Sequence, residues 1–159
     1  MVRDAVVADH PAVLSLNNAA VPAVNAPTPE EFVWLAAHAA YFRVVDDGEG
    51  IAGFVLCLPS GVAYWSGNYE WFGARHASFL YLDRVVVAPR AQGTGAGRAL
   101  YEDMHSFAAG RWPRVTLEVN LRPPNPVSDA FHLRMGYMAV GVREYADGLN
   151  AVTMYEGRV

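Results

Sequence analysis

The chain has 159 residues, of which 53% are hydrophobic and 18% charged, and its formal net charge is −4. That length suits one domain with a real core, that composition excludes a disordered chain, and the acidic balance gives no support for a nucleic-acid surface. All twelve basic residues are arginine, and a single cysteine, Cys57, excludes an internal disulfide. The longest mostly apolar run, residues 32–42, is far too short to span a bilayer. Residues 1–7 lack the continuous apolar stretch of a secretion signal, so a soluble cytoplasmic protein is expected.

Taken in order, residues 2–8 read as a first strand. Asp9 is placed to cap a helix with Pro11 in its first turn, and Val13, Leu14 and Leu16 supply that helix's apolar face. Asn17 and Asn18 are polar groups next to a loop over residues 22–29. Thr28, Pro29 and Glu31 form a helix start with a capping box, after which Phe32, Leu35, Ala36 and Ala39 make an apolar stripe. Residues 41–45 and 51–58 flank Asp46-Asp47-Gly48-Glu49-Gly50 as a β-hairpin. Cys57 lies inside the second of these strands and reads as a buried, inert thiol.

Residues 64–72, Tyr-Trp-Ser-Gly-Asn-Tyr-Glu-Trp-Phe, are too aromatic for an ordinary linker and too irregular for a definite strand or helix. His76 reads as a surface residue. Residues 79–87 form a buried strand by their β-branched and aromatic content. Arg90-Ala91-Gln92-Gly93-Thr94-Gly95-Ala96-Gly97 follows, then a helix marked by Ala96, Leu100, Met104 and Phe107 and closed by Gly110. Residues 114–120 are a strand with Val115, Leu117 and Val119 on one face and Thr116, Glu118 and Asn120 on the other. Asn125 caps a short helix with Pro126 in its first turn and Gly136 at its end. Residues 138–145 and 151–156 close the chain as a hairpin around Asp147-Gly148. The order β, α, α, β, β, β, α, β, α, β, β predicts a mixed sheet with helices on both faces in a single domain over residues 1–159.

Three glycines in five residues between a strand and a helix let the backbone turn sharply and bring bare N–H groups close to a bulky guest. Those groups stand at the positive end of the helix, where the natural guest is an anion such as a pyrophosphate. A dinucleotide fingerprint would need a third glycine one position later, an earlier place in a repeated βαβ chain and an acid on the next strand. A P-loop needs a lysine, and the chain has none. Both fail.

The pattern that matches is Q/R-x-x-G-x-G/A, the acyl-CoA signature of the GNAT acetyltransferases, present as Arg90-Ala91-Gln92-Gly93-Thr94-Gly95. Downstream, the segment from Asn125 through Phe131, His132 and Gly136 to Tyr137 resembles the family's Asn-opened, Gly-closed helix. The resemblance is close over residues 79–140, and the element order extends it to the whole chain. It implies the GNAT fold, α/β of the α+β kind, with a mixed, mostly antiparallel sheet of about seven strands and a splayed parallel pair that binds acyl-CoA. It implies acetyl-CoA as cofactor, with Val85, Val86 and Val87 pairing with pantetheine through their backbone. Gln92, Gly93, Thr94, Gly95, Ala96, Gly97 and Arg98 would meet the pyrophosphate, and Asn125 the pantetheine. Arg98 as an exposed helix arginine and Asn125 as a plain N-cap are the alternatives.

The reaction implied is acyl transfer to an amine, by direct attack on the thioester. It needs a base, an oxyanion donor and a proton for the leaving thiolate. Family members often carry a tyrosine acid seven residues after the helix-opening Asn; here that position is His132, which stands as acid, as hydrogen-bond orienter or as an ordinary helix histidine. Glu118 and Asp83 are the candidate bases, the alternative for Glu118 being an ion pair with Arg84 or Arg122. The aromatic stretch falls where the family lines its acceptor cleft, so Tyr64, Trp65, Asn68, Tyr69 and Trp71 are expected to meet a small amine. A satellite core or a homodimer contact is the alternative there. No metal site, nucleic acid or membrane partner is expected. The rival to an enzyme of small amines is a GNAT-like module that holds acyl-CoA without turnover; acylation of a protein N-terminus or lysine is a third reading.

Overall fold

The computed structural model describes all residues, Met1–Val159. Seven strands form one sheet in the order β1-β2-β3-β4-β5-β7-β6. They are β1 (Val2–Asp4), β2 (Tyr41–Asp46), β3 (Ile51–Pro59), β4 (Leu80–Val87), β5 (Arg114–Arg122), β6 (Met138–Tyr145) and β7 (Asn150–Arg158), with helices α1 (His10–Ala19), α2 (Pro29–His38), α3 (Gly67–Gly73), α4 (Ala96–Ala108) and α5 (Pro126–Arg134). The pair β4–β5 is parallel, in register at Leu80 with Val115 and Tyr81 with Thr116; the pairs β1–β2, β2–β3, β5–β7 and β6–β7 are antiparallel. A mixed, mostly antiparallel sheet of seven strands is what the family resemblance implied. No helix is long and apolar enough to cross a membrane.

The chain divides into two compact units: Met1–Pro59 with Leu82–Phe107, and Ser60–Tyr81 with Ala108–Val159. In the first, β3 is buried along nearly its whole length. Phe54 packs with Val13 of α1, Phe32 of α2, Val44 and Val86. From the opposite face of β3, Cys57 approaches Met104 of α4, and burial pushes its thiol well up. Residues buried on both faces make a central strand, which is why 51–58 reads as a continuous apolar run.

Helix starts show where local chemistry decides. Thr28 accepts from Glu31 N–H at 3.2 Å while Glu31 accepts from Thr28 N–H at 2.8 Å, the expected capping box. Asp9 behaves differently from expectation. Its carboxylate turns back to accept from Val6 N–H at 2.9 Å and from both terminal nitrogens of Arg3. A short 3-10 turn, Val7–Asp9, therefore replaces the end of the expected first strand, which stops at Asp4. The Arg3 guanidinium holds the Asp9 carboxyl down at about 2.

In the second unit the register sets two rows across β5, β7 and β6. Glu118, Met154 and Gly141 share one row. That face carries α3, whose Trp71 ring lies where a side chain on Gly141 would be, 2.6 Å from the position of its Cβ. Leu117, Tyr155 and Ala139 share the next row on the opposite face. That face carries α5, through Asp129, which accepts from Tyr155 Oη at 2.8 Å. The chain over residues 64–72 thus contains a helix, which the sequence left undefined. Ser66 caps it by accepting from Tyr69 N–H, and its apolar residues pack on a sheet instead of following one periodic stripe. His76, expected at the surface, is instead paired with Glu156 of β7. Ala146, Asp147 and Gly148 take positive φ in succession and make the tight β6–β7 hairpin.

Gly53 of β3 is needed for close approach. A Cβ there would stand 2.9 Å from the Val86 carbonyl oxygen and 3.2 Å from Val45 Cγ1. Overpacking of this kind costs about 1–3 kcal/mol, against about 0.4–1 kcal/mol gained from a less flexible unfolded chain. Gly53→Ala is expected to lower the urea midpoint, and a midpoint at or above wild type would show that β3 and β4 part without cost.

Candidate active site

β4 ends at Val87, and the chain passes through a 3-10 turn, Pro89–Ala91, before Gln92 to Gly95 lead into α4. Gly93 and Gly95 have φ of +76° and +90°. Nothing lies within 4 Å of where their Cβ atoms would be. Backbone conformation, not packing, therefore demands glycine at both positions. The first helical bond runs from Ala99 N–H to the Gly95 carbonyl at 2.9 Å. The N–H groups of Ala96, Gly97 and Arg98 precede it, have no acceptor within the helix, and stand at its positive end. The loop is held from behind: Thr94 donates through its amide and hydroxyl to the Ala91 carbonyl, and Gln92 Nε2 donates to the Val87 carbonyl at 3.4 Å. Arg90 pairs with Asp47 of the β2–β3 hairpin at 3.1 Å. Bare amides behind an exposed surface with no side chains at positions 93 and 95 fit a pyrophosphate. Arg98 takes the place of an exposed helix arginine, paired with Glu102 one turn on at 2.7 Å.

Upstream of the loop, Val86 is core, while Val85 and Val87 are half-buried on the α4 side. Asp83 and Arg84 are both buried, with side chains 4% and 5% exposed, and bonded to each other at 2.7 Å. Arg84 also donates to Asn17 Oδ1 at 3.2 Å, the Asn25 carbonyl at 3.3 Å and Asn25 Oδ1 at 3.0 Å. Asn17, 1% exposed on α1, donates in turn to the Asn25 carbonyl at 2.9 Å. The carboxylate of Asp83 thus has a structural partner.

Glu118 stands on the α3 face of β5. Tyr81 Oη donates to it, 2.8 Å from each carboxylate oxygen. Of the two arginines considered for Glu118, Arg84 bonds Asp83 and Arg122 pairs with Glu144 at 3.0 Å. The aromatic residues expected to line an acceptor site divide. Tyr64 and Tyr69 are buried, ring to ring with Tyr81 at 6.4 and 5.5 Å. Trp65 is 48% exposed and lies edge-on to Tyr64. Trp71 points to Gly141 of β6 with Arg75 over its ring, and Asn68 accepts from Arg143 at 3.0 Å.

On the opposite face, Asn125 caps α5 by accepting from Ser128 N–H at 3.2 Å. His132 is 5% exposed, packed against Phe131, Tyr137 and Tyr155. Its Nδ1 lies 2.7 Å from the Ser128 carbonyl, which can only accept, so the proton is on Nδ1. In the neutral ring Nε2 is then an acceptor, and burial pushes the ring's pKa down, away from the charged form.

Residues 11–137 match the family model described as the acetyltransferase (GNAT) family. The chain belongs to the GNAT acetyltransferases. Among curated protein sequences no significant match was found. Among solved structures it is similar to the ribosomal-protein-S18-alanine N-acetyltransferase of Escherichia coli, with a TM-score of 0.76, 16% identity and coverage of 100% of this chain and 93% of that one. Naa20 of Chaetomium thermophilum, in complex with a bisubstrate analogue, gives a TM-score of 0.76, 22% identity and coverage of 100% and 86%. A GCN5-related N-acetyltransferase from Kribbella flavida gives 0.72, 21%, and coverage of 100% and 97%. At these identities the likeness is one of fold.

Within this GNAT protein the predicted residues fall into groups. Gln92 to Arg98 form one continuous loop and helix start. Glu118 and His132 are not brought together, because they face opposite sides of the β5–β7 sheet. Tyr81 is the residue that sequence reasoning missed. It read as one more aromatic in a buried strand, and only the parallel register of β4 with β5 puts its hydroxyl on Glu118.

The lowered pKa of His132 has a defined sign. Below the usual value of 6.5 the unfolded chain takes up a proton that the folded ring resists, so stability is present above that pH and lost as the pH falls through it. His132→Phe removes this dependence. The stability of wild type relative to His132→Phe, from urea unfolding, should fall between about pH 7 and pH 5; a constant difference would mean that the folded ring is as basic as the unfolded one.

Proposed function

We propose that this GNAT protein transfers an acetyl group from acetyl-CoA to the amine of a small molecule. The observation that carries the donor side is the loop with two left-handed glycines opening α4. Its amides at Gly93, Gly95, Ala96, Gly97 and Arg98 would hold the pyrophosphate with Gln92 beside them, while Thr94 keeps the turn in shape through its bonds to Ala91. Backbone groups of Val85, Val86 and Val87 would pair with pantetheine, and Asn125 would add a contact while it caps α5. Acetyl-CoA, when bound, supplies an activated thioester carbonyl.

The chain's own residues supply the rest. Glu118 is the base. Its carboxylate would take one proton from the acceptor's ammonium; the freed amine nitrogen then bonds to the thioester carbonyl carbon, the C–S bond breaks, and the second proton shed by that nitrogen passes, through water, to the leaving thiolate. Asp83, already committed to Arg84, is the weaker of the two candidate bases. Of the three readings of His132, its Nδ1–H bond to Ser128 favours that of an orienting residue within α5. Trp65, the exposed ring of the aromatic stretch, is the one we place against the acceptor, with Tyr64 and Tyr69 behind it; Asn68 and Trp71 hold α3 on β6. Acylation of a protein N-terminus or lysine is the second reading of the acceptor, supported by the name of the Escherichia coli neighbour, a ribosomal-protein-S18-alanine N-acetyltransferase.

Two measurements test this. Gly95→Leu puts a bulky side chain at a left-handed position in the middle of the cradle. Calorimetric titration should show CoA affinity reduced at least about tenfold with the circular dichroism spectrum retained, since a side chain there both strains the backbone and covers the amides. Unchanged affinity would remove the pyrophosphate assignment. Thiol release from acetyl-CoA should appear with at least one member of a panel of small primary amines and fall about 10²–10⁴-fold in Glu118→Gln. Release with peptides alone would establish the second reading, and saturable CoA binding without release on any acceptor would make the chain a silent binding module.

A further inference from the structure

We propose that Tyr81 is a positioning residue for Glu118, holding the carboxylate ionised and aimed, and that the aromatic residues of α3 and the loop before it serve to fix the Tyr81 phenol. The proposal rests on the reading of Glu118 as the base.

The geometry is specific. Tyr81 is 1% exposed, and its hydroxyl bisects the carboxylate, at 2.8 Å from both oxygens. A phenol with a reference pKa near 10 keeps its proton throughout the range in which a carboxyl titrates, so it acts as a constant donor. A donor to the ionised form favours that form. The partner is also held in place. Tyr81 lies edge-on to Tyr69 at 5.5 Å and is in ring contact with Phe72 at 6.1 Å and Tyr64 at 6.4 Å. Tyr69 is itself anchored, accepting from Val62 N–H at 3.1 Å. With these rings packed around it, the phenol cannot swing away from Glu118 without disturbing α3.

Other charged and titratable groups stand on this face. From β7 comes Glu156, in the Thr116 row and paired with His76; from β6 comes Arg143, held by Asn68; from α3 and its approach come Tyr64 and Tyr69, the latter with its phenol pushed up by burial. Beside Tyr81 in the parallel register lies Thr116, fully buried, with no partner for its hydroxyl. The hydroxyl that is satisfied on this row is the one that reaches the base.

The test compares pH profiles of kcat/KM for the best amine in the panel. Tyr81→Phe keeps the ring and removes the donor. Its acidic limb should move up by about one pH unit, because the carboxylate loses a bond to its charged form, while KM for acetyl-CoA stays unchanged. Replacing Tyr81 with 3-fluorotyrosine, an isosteric and stronger donor, should move the limb down. The carboxyl carbon-13 titration of Glu118, assigned by its loss in Glu118→Gln, should follow both shifts without reference to turnover. Thr116→Val, two residues away on the same strand face, should leave the limb in place. If Glu118→Gln is inactive while all Tyr81 variants share the wild-type profile and titration, the positioning role is overturned and the base survives. If Glu118→Gln keeps wild-type kcat/KM, the base reading itself fails, and this proposal with it.

Discussion

A guanidinium buried in the strand that feeds the glycine loop has to be neutralised where it stands. Arg84 is 5% exposed, and a buried charge without partners costs several kcal/mol (about 3–5 when one member of a pair is removed). Asp83 supplies the opposite charge, and Asn17 and Asn25 take the remaining donors. This one requirement explains several otherwise odd choices. It puts an asparagine at a fully buried position of α1, where an apolar residue would ordinarily sit. It ties down the segment between α1 and α2, which has little regular structure of its own. It also makes Asp83 a neutraliser before it can be anything else.

What could be read from the sequence was what local chemistry decides. The capping box at Thr28, the Asp46–Gly50 turn, the glycine loop and the Asn125 cap each involve residues within a few positions of one another, so their types and spacing carry the geometry. What could not be read depends on register. Asn17 meets Arg84 across 67 positions and Tyr81 meets Glu118 across 37. Nothing in the composition of either strand says that a phenol will lie against a carboxylate, since shifting the pairing of β4 and β5 by one residue would turn the hydroxyl to the other face. His76 failed for the same reason: its partner, Glu156, comes from the last strand. Asp9 failed for a different one. Two competing donors, Val6 N–H and Arg3, lie as near in sequence as the helix it was expected to cap.

The aromatic stretch shows how composition can suggest a function while structure assigns support. Five aromatic residues in nine look like the wall of a pocket. In the fold, Tyr64 and Tyr69 are buried against Tyr81, and Trp71 fills the notch left by Gly141, while Trp65 keeps its exposure. The glycine and the tryptophan are complementary: a Cβ at position 141 would overlap the ring. Arg143 lies at the other end of α3, its guanidinium against Gly67, where a Cβ would displace it, and bonding Asn68. A seven-residue helix has little stability of its own. Its position is set by these tertiary contacts, and through Tyr69 and Phe72 it passes that position on to Tyr81.

Two proton tasks therefore separate in space. Glu118 lies on the α3 face of the sheet, with the Tyr81 hydroxyl donating to its carboxylate. His132 lies on the α5 face, its Nδ1 proton spent on a backbone carbonyl and its charged form disfavoured by burial. A ring in that state can accept at Nε2 but has no proton to give there, whereas the usual tyrosine at this position would have one. Removing a proton from an amine needs a group that is reliably ionised, which is the role we propose for Tyr81 toward Glu118. Protonating a thiolate is less demanding, because a thiol pKa near 8.5 leaves the anion a modest base that water can serve. In the mechanism we propose, the departure at position 132 falls on the step that can tolerate it, and the carboxylate that meets the Tyr81 phenol serves the harder proton transfer.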